Sequence, residues 1–288
     1  MRGKIQVGYL VSYDYEMLKN AIPPIYDSAD SIFLAIDKDR LTWNGNLFYI
    51  DDSFFLWLKE FDKDNKIELY EDNFYVPELS TMECEVRQRK MLANKMGIGN
   101  WLIQLDADEY FLDFKNFVKT LESYNRFLDN PQKNPIQIAV FLINIYKQVE
   151  TGFLYVDCAS KCMAATNFPN YKVGRNTRRR VIYTKHLMFH ETLSRDEKEL
   201  EFKFNNWGHK DEINPQFLEK WKSATIDNYK SLSNLFYLEP HKWRKLNYVK
   251  GNTINDAIQN FNDNNFVPSK FYLTKKNFGQ RFKFLFKK

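Results

Sequence analysis

The sequence predicts an α/β fold: a mixed, mainly parallel sheet flanked by helices. Strand and helix signals alternate through the first half of the chain. The run Ile32-Phe33-Leu34-Ala35-Ile36 is apolar without alternation, as in a strand buried on both faces. Ser80-Thr81-Met82-Glu83 has the pattern of a capping box that opens a helix, and the apolar run Trp101 to Leu105 follows that helix as a further strand.

Taken in order, Ile5 to Val11 is strand-like. Asp14 is placed to cap a helix carrying Leu18, Ala21, Ile22 and Ile25, whose end Pro23-Pro24 disturbs. The apolar run from Ile32 ends at Asp37. Ser53 to Phe61 reads as a helix and Ile67 to Tyr70 as a third strand. The helix opened by Ser80 runs to about Met96, where Gly97 stops it. Farther on, Ile136 to Ile143 is a strongly apolar strand and Phe153 to Val156 a weaker one, and Tyr171 to Arg180 is a basic loop turning at Gly174. Asn214-Pro215 starts another helix, with Phe217, Leu218, Trp221 and Ala224 on its apolar face. From there the pattern is helical, so two parts are expected: residues 1–213 as the α/β unit and 214–288 as a helical C-terminal extension.

Bulk properties narrow the function classes. An apolar share of 44% and an aromatic share of 17% make the chain globular. No run of eighteen apolar residues predicts a transmembrane helix, and the first residues lack the apolar core of a signal peptide. Cys84, Cys158 and Cys162 are too few for a disulfide framework, which points to reduced thiols and a cytoplasmic location. The net charge of +5 is unevenly placed: from Lys270 to Lys288 there are seven basic residues and no acid, interleaved with Phe271, Tyr272, Phe278, Phe282, Phe284 and Phe286. That mixture suits an anionic membrane surface, or a tail packed on the domain through its aromatics, better than nucleic acid, which is not expected as a partner.

The stretch Gln104-Leu105-Asp106-Ala107-Asp108-Glu109 carries the chemistry. Residues two apart on an extended segment point the same way, so Asp106 and Asp108 face one side. Like charges that close need a neutralising partner, and Mg2+ and Mn2+ favour carboxylate oxygens. The motif reads as a metal site whose ion holds a diphosphate; an acidic turn after a strand is the other reading of Asp-x-Asp alone. Tyr9 to Ser12, Asp37 and Asp106/Asp108 all fall at strand ends, where open α/β sheets collect ligands.

With those pieces in order, the chain resembles the GT-A glycosyltransferases, a Rossmann-like fold, and in particular the inverting family 2 type. The first strand Ile5 to Val11, the second strand ending at Asp37, and the block Gly99 to Glu109 are similar to the family's first two strands and its metal-binding strand. Arg178-Arg179-Arg180, then His190-Glu191, then Trp207-Gly208-His209 resemble a bacterial subgroup. The likeness spans residues 4 to 212. It departs at Lys90-Met91, where an Arg-Asn pair is common, and at Asp37-Lys38-Asp39, where Asp-Gly-Ser is usual.

The resemblance implies a metal-dependent enzyme that moves a sugar from a nucleotide-diphosphate donor to a glycan or polyprenyl-linked acceptor, with inversion, in surface polysaccharide biosynthesis. It would act in the cytoplasm, peripheral to the inner face of the membrane. Asp106 and Asp108 would hold Mn2+ (or Mg2+), with His209 as third ligand; imidazole favours manganese. Asp37 and Asp106 would contact the nucleotide-sugar, and Glu109 would support the loop. Glu191 is the candidate general base, with Asp157, Asp196 and Asp211 as alternatives. Arg87, Lys90 and Asn94 share one helical stripe, which is either a solvated face or, with Arg87 turned to the site, a phosphate contact. Trp43 is either a core residue or a stacking surface. Arg175 and Arg178 to Arg180 form either a solvated basic loop or a hold on an anionic acceptor. Two rival readings are a nucleotidyltransferase acting on sugar phosphates and a catalytically inactive binding protein of the same fold.

Overall fold

A computed structural model of the chain describes residues 3–206 and 213–285. Its core is one mixed sheet. Strand β1 (Ile5–Val11) lies between β2 (Ser31–Asp37) and β4 (Trp101–Asp106), and β3 (Ile67–Asp72) flanks β2; all of these pairs are parallel. Beyond β4 come β7 (Gly152–Thr166) and β6 (Ile136–Val149), a long antiparallel pair, then β8 (Arg180–His190) parallel to β6, and the short β5 (Glu109–Phe111) antiparallel to β8. The expected α/β sheet flanked by helices is therefore what the chain builds.

Period-two alternation decides which helix covers which face. Leu10, Phe33, Ala35 and Leu102 turn to the helix α4 (Thr81–Met96), meeting Leu92, Ala93 and Met96. Alternate residues Val7, Tyr9, Leu34, Ile36, Ile103 and Leu105 turn to the opposite layer. That layer includes α1 (Leu18–Ala21), α2 (Pro23–Tyr26), α3 (Asp52–Phe61) and α5 (Phe114–Glu122). Each fully buried aliphatic or Phe side chain contributes roughly 1.5–3 kcal/mol, so these two faces supply most of the fold's drive. Gly8, in the middle of β1, lets α4 approach closely: a Cβ there would stand 2.8 Å from Leu92 Cδ2 and 2.9 Å from Met96 Sδ. The capping box at Ser80 and Glu83 forms, and Gly97 ends α4 at φ +91°.

Three local expectations differ. Asp14 caps no helix; its carboxylate accepts from Ser12 Oγ (3.2 Å), and the segment after it is a 3-10 turn followed by the short α1 and α2, because Pro23 cannot continue α1. Asn214 lies outside its helix: its side chain accepts from the Gln216 amide (3.0 Å), and α7 (Phe217–Ser223) begins beyond. The C-terminal part carries α7, α8 (Ile254–Asn260) and α9 (Lys270–Leu285), preceded in the chain by α6 (Glu197–Asn206). It also supplies a strand, β9 (Leu246–Lys250), antiparallel to the turn end of β7. No helix among the described residues is long and apolar enough to cross a membrane.

Candidate active site

The strand order β3-β2-β1-β4 reverses direction at β1, and in such sheets the crevice beyond the carboxyl ends at the reversal is where ligands sit. Leu10 of β1 pairs with Asp106 of β4 there. A cavity of about 200 Å³ opens at this point, lined by Leu10 to Asp14, Asp37, Leu41 to Trp43, Gln88, Asp106 to Asp108, His190, Thr192, Lys203, Phe204 and Tyr237. Asp37, Asp106 and Asp108 thus share one cavity. Arg87 and Glu191 do not line it, and His209 lies outside the described residues.

Each carboxylate has a different fate. Asp37 is buried; Oδ1 accepts from the amides of Asp39 (3.0 Å) and Leu41 (3.2 Å), and Oδ2 from those of Phe74 (2.9 Å) and Tyr75 (3.0 Å). Four amides fill the acceptor sites of a carboxylate. Asp37 therefore knots the loops after β2 and β3 together, and it lines the cavity alongside Leu41, Thr42 and Trp43. Trp43 is held by its Nε1, which donates to Gln88 Oε1 (2.6 Å), while Gln88 Nε2 donates to Ala35 O (3.1 Å). Trp43 both packs against the core cluster around Leu92 and lines the cavity, so the two readings for it meet in one side chain.

Asp106 ends β4 with a third of its side chain exposed. Arg89, buried on α4 one position beyond Gln88, donates to its Oδ1 (2.8 Å) and to Glu85 (2.8 Å). Burial alone would raise the Asp106 pKa, but Arg89 and then Arg175 bring it down to about 2. On the stripe that contains Arg87, Lys90 and Asn94 are exposed, and the half-buried Arg87 donates its guanidinium to the carbonyls of Asn73 and Phe74. The buried stripe, with Gln88 and Arg89, is the one that reaches the site. Arg175 is also interior, forked onto Glu109 with both bonds at 2.6 Å and bonded to Gln104 O (3.0 Å). Glu109 accepts from the Asp106 amide as well (3.1 Å), so it supports the loop as expected, and Arg175 is committed to that support.

Asp108 is nearly closed off, held by two cations and an imidazole. Arg195 Nη2 and Lys203 Nζ each lie 2.8 Å from Oδ2, and His190 Nε2 lies 3.5 Å from Oδ1. Burial would raise its pKa; Lys203, His190 and Arg195 hold it well below the usual carboxylate range. Asp196 and Glu199 exchange side-chain-to-amide bonds (2.8 and 3.2 Å), which fixes the start of α6, so that Arg195 just before it and Lys203 on it converge on one oxygen. His190 is oriented from its other nitrogen by Thr192 Oγ1 (2.8 Å) and Asn144 Oδ1 (3.2 Å).

Glu191 points the other way. Its carboxylate accepts from the buried Tyr110 hydroxyl (2.8 Å), and burial pushes it up to about 7 against the opposing pull of that bond and of Arg195. Residues 190 and 192 face the cavity, and period two turns 191 behind it. A second cavity adjoins the first and shares Tyr13 and Asp14 with it; Tyr15, Glu16, Met17, Arg195, Lys198, Glu199 and Phe202 complete it. Asp14 stands between the two, accepting from Ser12 and 3.4 Å from Arg195; burial raises its pKa, offset in part by Arg195.

A divalent cation is what the resemblance implies here. Small hard cations are commonly bound by one or two carboxylates together with phosphate oxygens rather than by an all-protein cage. Asp106 and Asp108 line one wall with the His190 imidazole beside them, and each carboxylate already carries protein cations: Arg89 on Asp106, Arg195 and Lys203 on Asp108. Among the described residues no group of three or more His, Cys, Asp and Glu is clustered to hold an ion unaided.

Arg195, Lys203, His190, Trp43 and Asp14 carry much of the site, and sequence spacing gave little sign of most of them. No family model matches the chain, and no curated protein does. Among solved structures the chain is similar to a mannose-6-phosphate isomerase from Helicobacter pylori, with 12% identity over 77% of this chain and 79% of that one, at a TM-score of 0.29, a likeness too low to bear on fold or activity.

Proposed function

We propose that the protein is a GT-A-type glycosyltransferase that moves a sugar from a nucleotide-diphosphate donor to a glycan or polyprenyl-linked acceptor in surface polysaccharide synthesis. One observation carries this reading. The Asp106-Ala107-Asp108 wall and the Trp43 wall line one cavity at the β1/β4 reversal, giving a charged end for a diphosphate and an aromatic surface for a base. In this reading Trp43 stacks on the nucleobase, and Lys203 meets the diphosphate. Mn2+ or Mg2+ held by Asp106 and Asp108, with His190, would supply Lewis-acid neutralisation of the leaving diphosphate.

The second cavity takes the acceptor. Its hydroxyl oxygen attacks the anomeric carbon and forms the new glycosidic bond. The bond from that carbon to the diphosphate oxygen breaks, and the nucleoside diphosphate leaves with its electron pair. The hydroxyl proton passes to Asp14, the carboxylate shared by both cavities, and a single displacement of this kind inverts the anomeric centre. Asp14 takes the role expected of Glu191 because Glu191 is turned to Tyr110.

Thermal shift with UDP, GDP and CDP, each with Mn2+, Mg2+ or EDTA, tests the donor site, since a ligand selective for the folded state raises its melting temperature. A shift for one nucleotide, strengthened by metal, is expected. Absence of any shift would overturn the reading. Pyrophosphate release from a nucleoside triphosphate and a sugar phosphate would replace it with nucleotidyl transfer.

A further inference from the structure

α9 packs on the sheet through Tyr272 and Leu273, which meet the core, and through two amide side chains. Its protein-facing side carries amides: Asn277 bonds both the amide (2.8 Å) and the carbonyl (2.9 Å) of Tyr183, and Gln280 accepts from the Val181 amide (3.2 Å). These bonds cover the part of the β8 edge that β5, paired only with residues 188–190, leaves open. The phenylalanines face outward. Phe271, Phe278 and Phe282 are 79%, 63% and 44% exposed, and the last two rings touch with centroids 4.5 Å apart. At about 100° per residue the three fall within an arc of about 40°. Lys275 lies about 20° beyond that arc on one side, and Lys270 and Arg281 lie about 60–80° beyond it on the other.

We propose that this outer face of α9 docks the protein on an anionic membrane surface, with the three phenylalanines entering the headgroup–acyl boundary and Lys270, Lys275 and Arg281 meeting lipid phosphates. A lone exposed Phe needs no partner, but a stripe of three on a helix whose amides point inward does. Charge selects the occupant. Seven basic residues and no acid between Lys270 and the C-terminus oppose self-pairing of this face and complement anionic lipid. The helix lies on the surface rather than spanning, since no described helix has the length and apolarity to cross. Tyr183, where α9 is anchored, is seven residues along β8 from His190, about 23 Å of strand, so docking leaves the cavity mouth free. The inference stands apart from the proposed activity.

The test is co-sedimentation of the full chain with phosphatidylglycerol/phosphatidylcholine vesicles and with phosphatidylcholine alone. Wild type is expected to pellet with the anionic vesicles only. The exposed triple change Phe271→Ser, Phe278→Ser and Phe282→Ser is expected to weaken binding at least tenfold with an unchanged melting temperature. A second variant, Lys270→Glu, Lys275→Glu and Arg281→Glu, keeps the apolar stripe and is expected to lose binding as well. Wild type remaining in the supernatant, or both variants pelleting like wild type, would overturn the proposal. So would a dimer in analytical ultracentrifugation that the triple Ser change dissolves, which would assign the face to a second copy.

Discussion

Arg195 and Asp108 form a buried ion pair at 2.8 Å, and Lys203 reaches the same carboxylate oxygen at the same distance. Two cations on one nearly inaccessible oxygen make Asp108 the electrostatic keystone of the loop after β4. Losing its charge strands both partners. Asp108→Asn is expected to lower stability by about 3 kcal/mol in urea titration. Adding Lys203→Met to it should recover part of that loss, because one stranded cation is removed.

The orientation of Glu191 gives a contrast between two carboxylates. Glu191→Gln keeps an acceptor for the Tyr110 hydroxyl, and turnover is expected to stay within about threefold. Asp14→Asn is expected to lower kcat by a factor of about 100 or more while leaving nucleoside diphosphate binding in place. Continuous measurement of nucleoside diphosphate release, paired with thermal shift, separates the two.

Trp43 makes a prediction about affinity. Stacking of a base on an aromatic ring is worth about 1–3 kcal/mol, so Trp43→Ala should raise the donor Kd by about 5- to 150-fold with a smaller effect on kcat. Trp43→Phe should retain much of the affinity, although it loses the bond to Gln88. Calorimetric titration with the nucleotide found by thermal shift reads both.

His186 sets part of the acid sensitivity. It is buried against Phe117 and bonded to Thr120 Oγ1 (2.7 Å); burial, with nearby Lys185, lowers its pKa to about 4. The unfolded chain, near 6.5, binds the proton more readily than the folded one between these values. The contribution of neutral His186 is therefore complete above pH 6.5 and is lost as pH falls toward 4, amounting to about 1–3 kcal/mol. Urea unfolding at pH 7 and pH 5 should show wild type losing more stability than His186→Asn.

Gly8 is a packing test free of chemistry. Any Cβ there meets Leu92 and Met96 at under 3 Å. Gly8→Val is expected to cost about 1–3 kcal/mol, and Leu92→Ala in the same chain should relieve part of the clash, as a double-mutant cycle would show.

The parts of the fold legible in the sequence are those with local signals. β1, β2, β4 and α4 declare themselves through apolar runs and a capping box, and Asp106 and Asp108 through spacing alone. β5 and β9 are too short and β8 too mixed in character to stand out, and β9 forms only because β7 offers its edge. In the site, helical spacing grouped Arg87 with Lys90 and Asn94 but did not say which stripe is buried; packing against β1 and β2 chose that of Gln88 and Arg89. Arg195 and Lys203 meet Asp108 from 87 and 95 residues away, a separation across which no periodicity speaks. Alternation placed Asp106 and Asp108 together, yet it also turns Glu191 away once His190 is known to face the cavity.

The four amides gathered by Asp37 separate the shape of the cavity rim from its surface chemistry. The backbone of the loop is fixed from below by one buried carboxylate, and Leu41, Thr42 and Trp43 line the cavity above it, with Thr42 Oγ1 also accepting from the Asn46 amide. Leu41 and Trp43 are therefore open to exchange in a way that Asp37 is not. A library confined to those two positions is expected to change ligand preference while the platform that presents them stays folded.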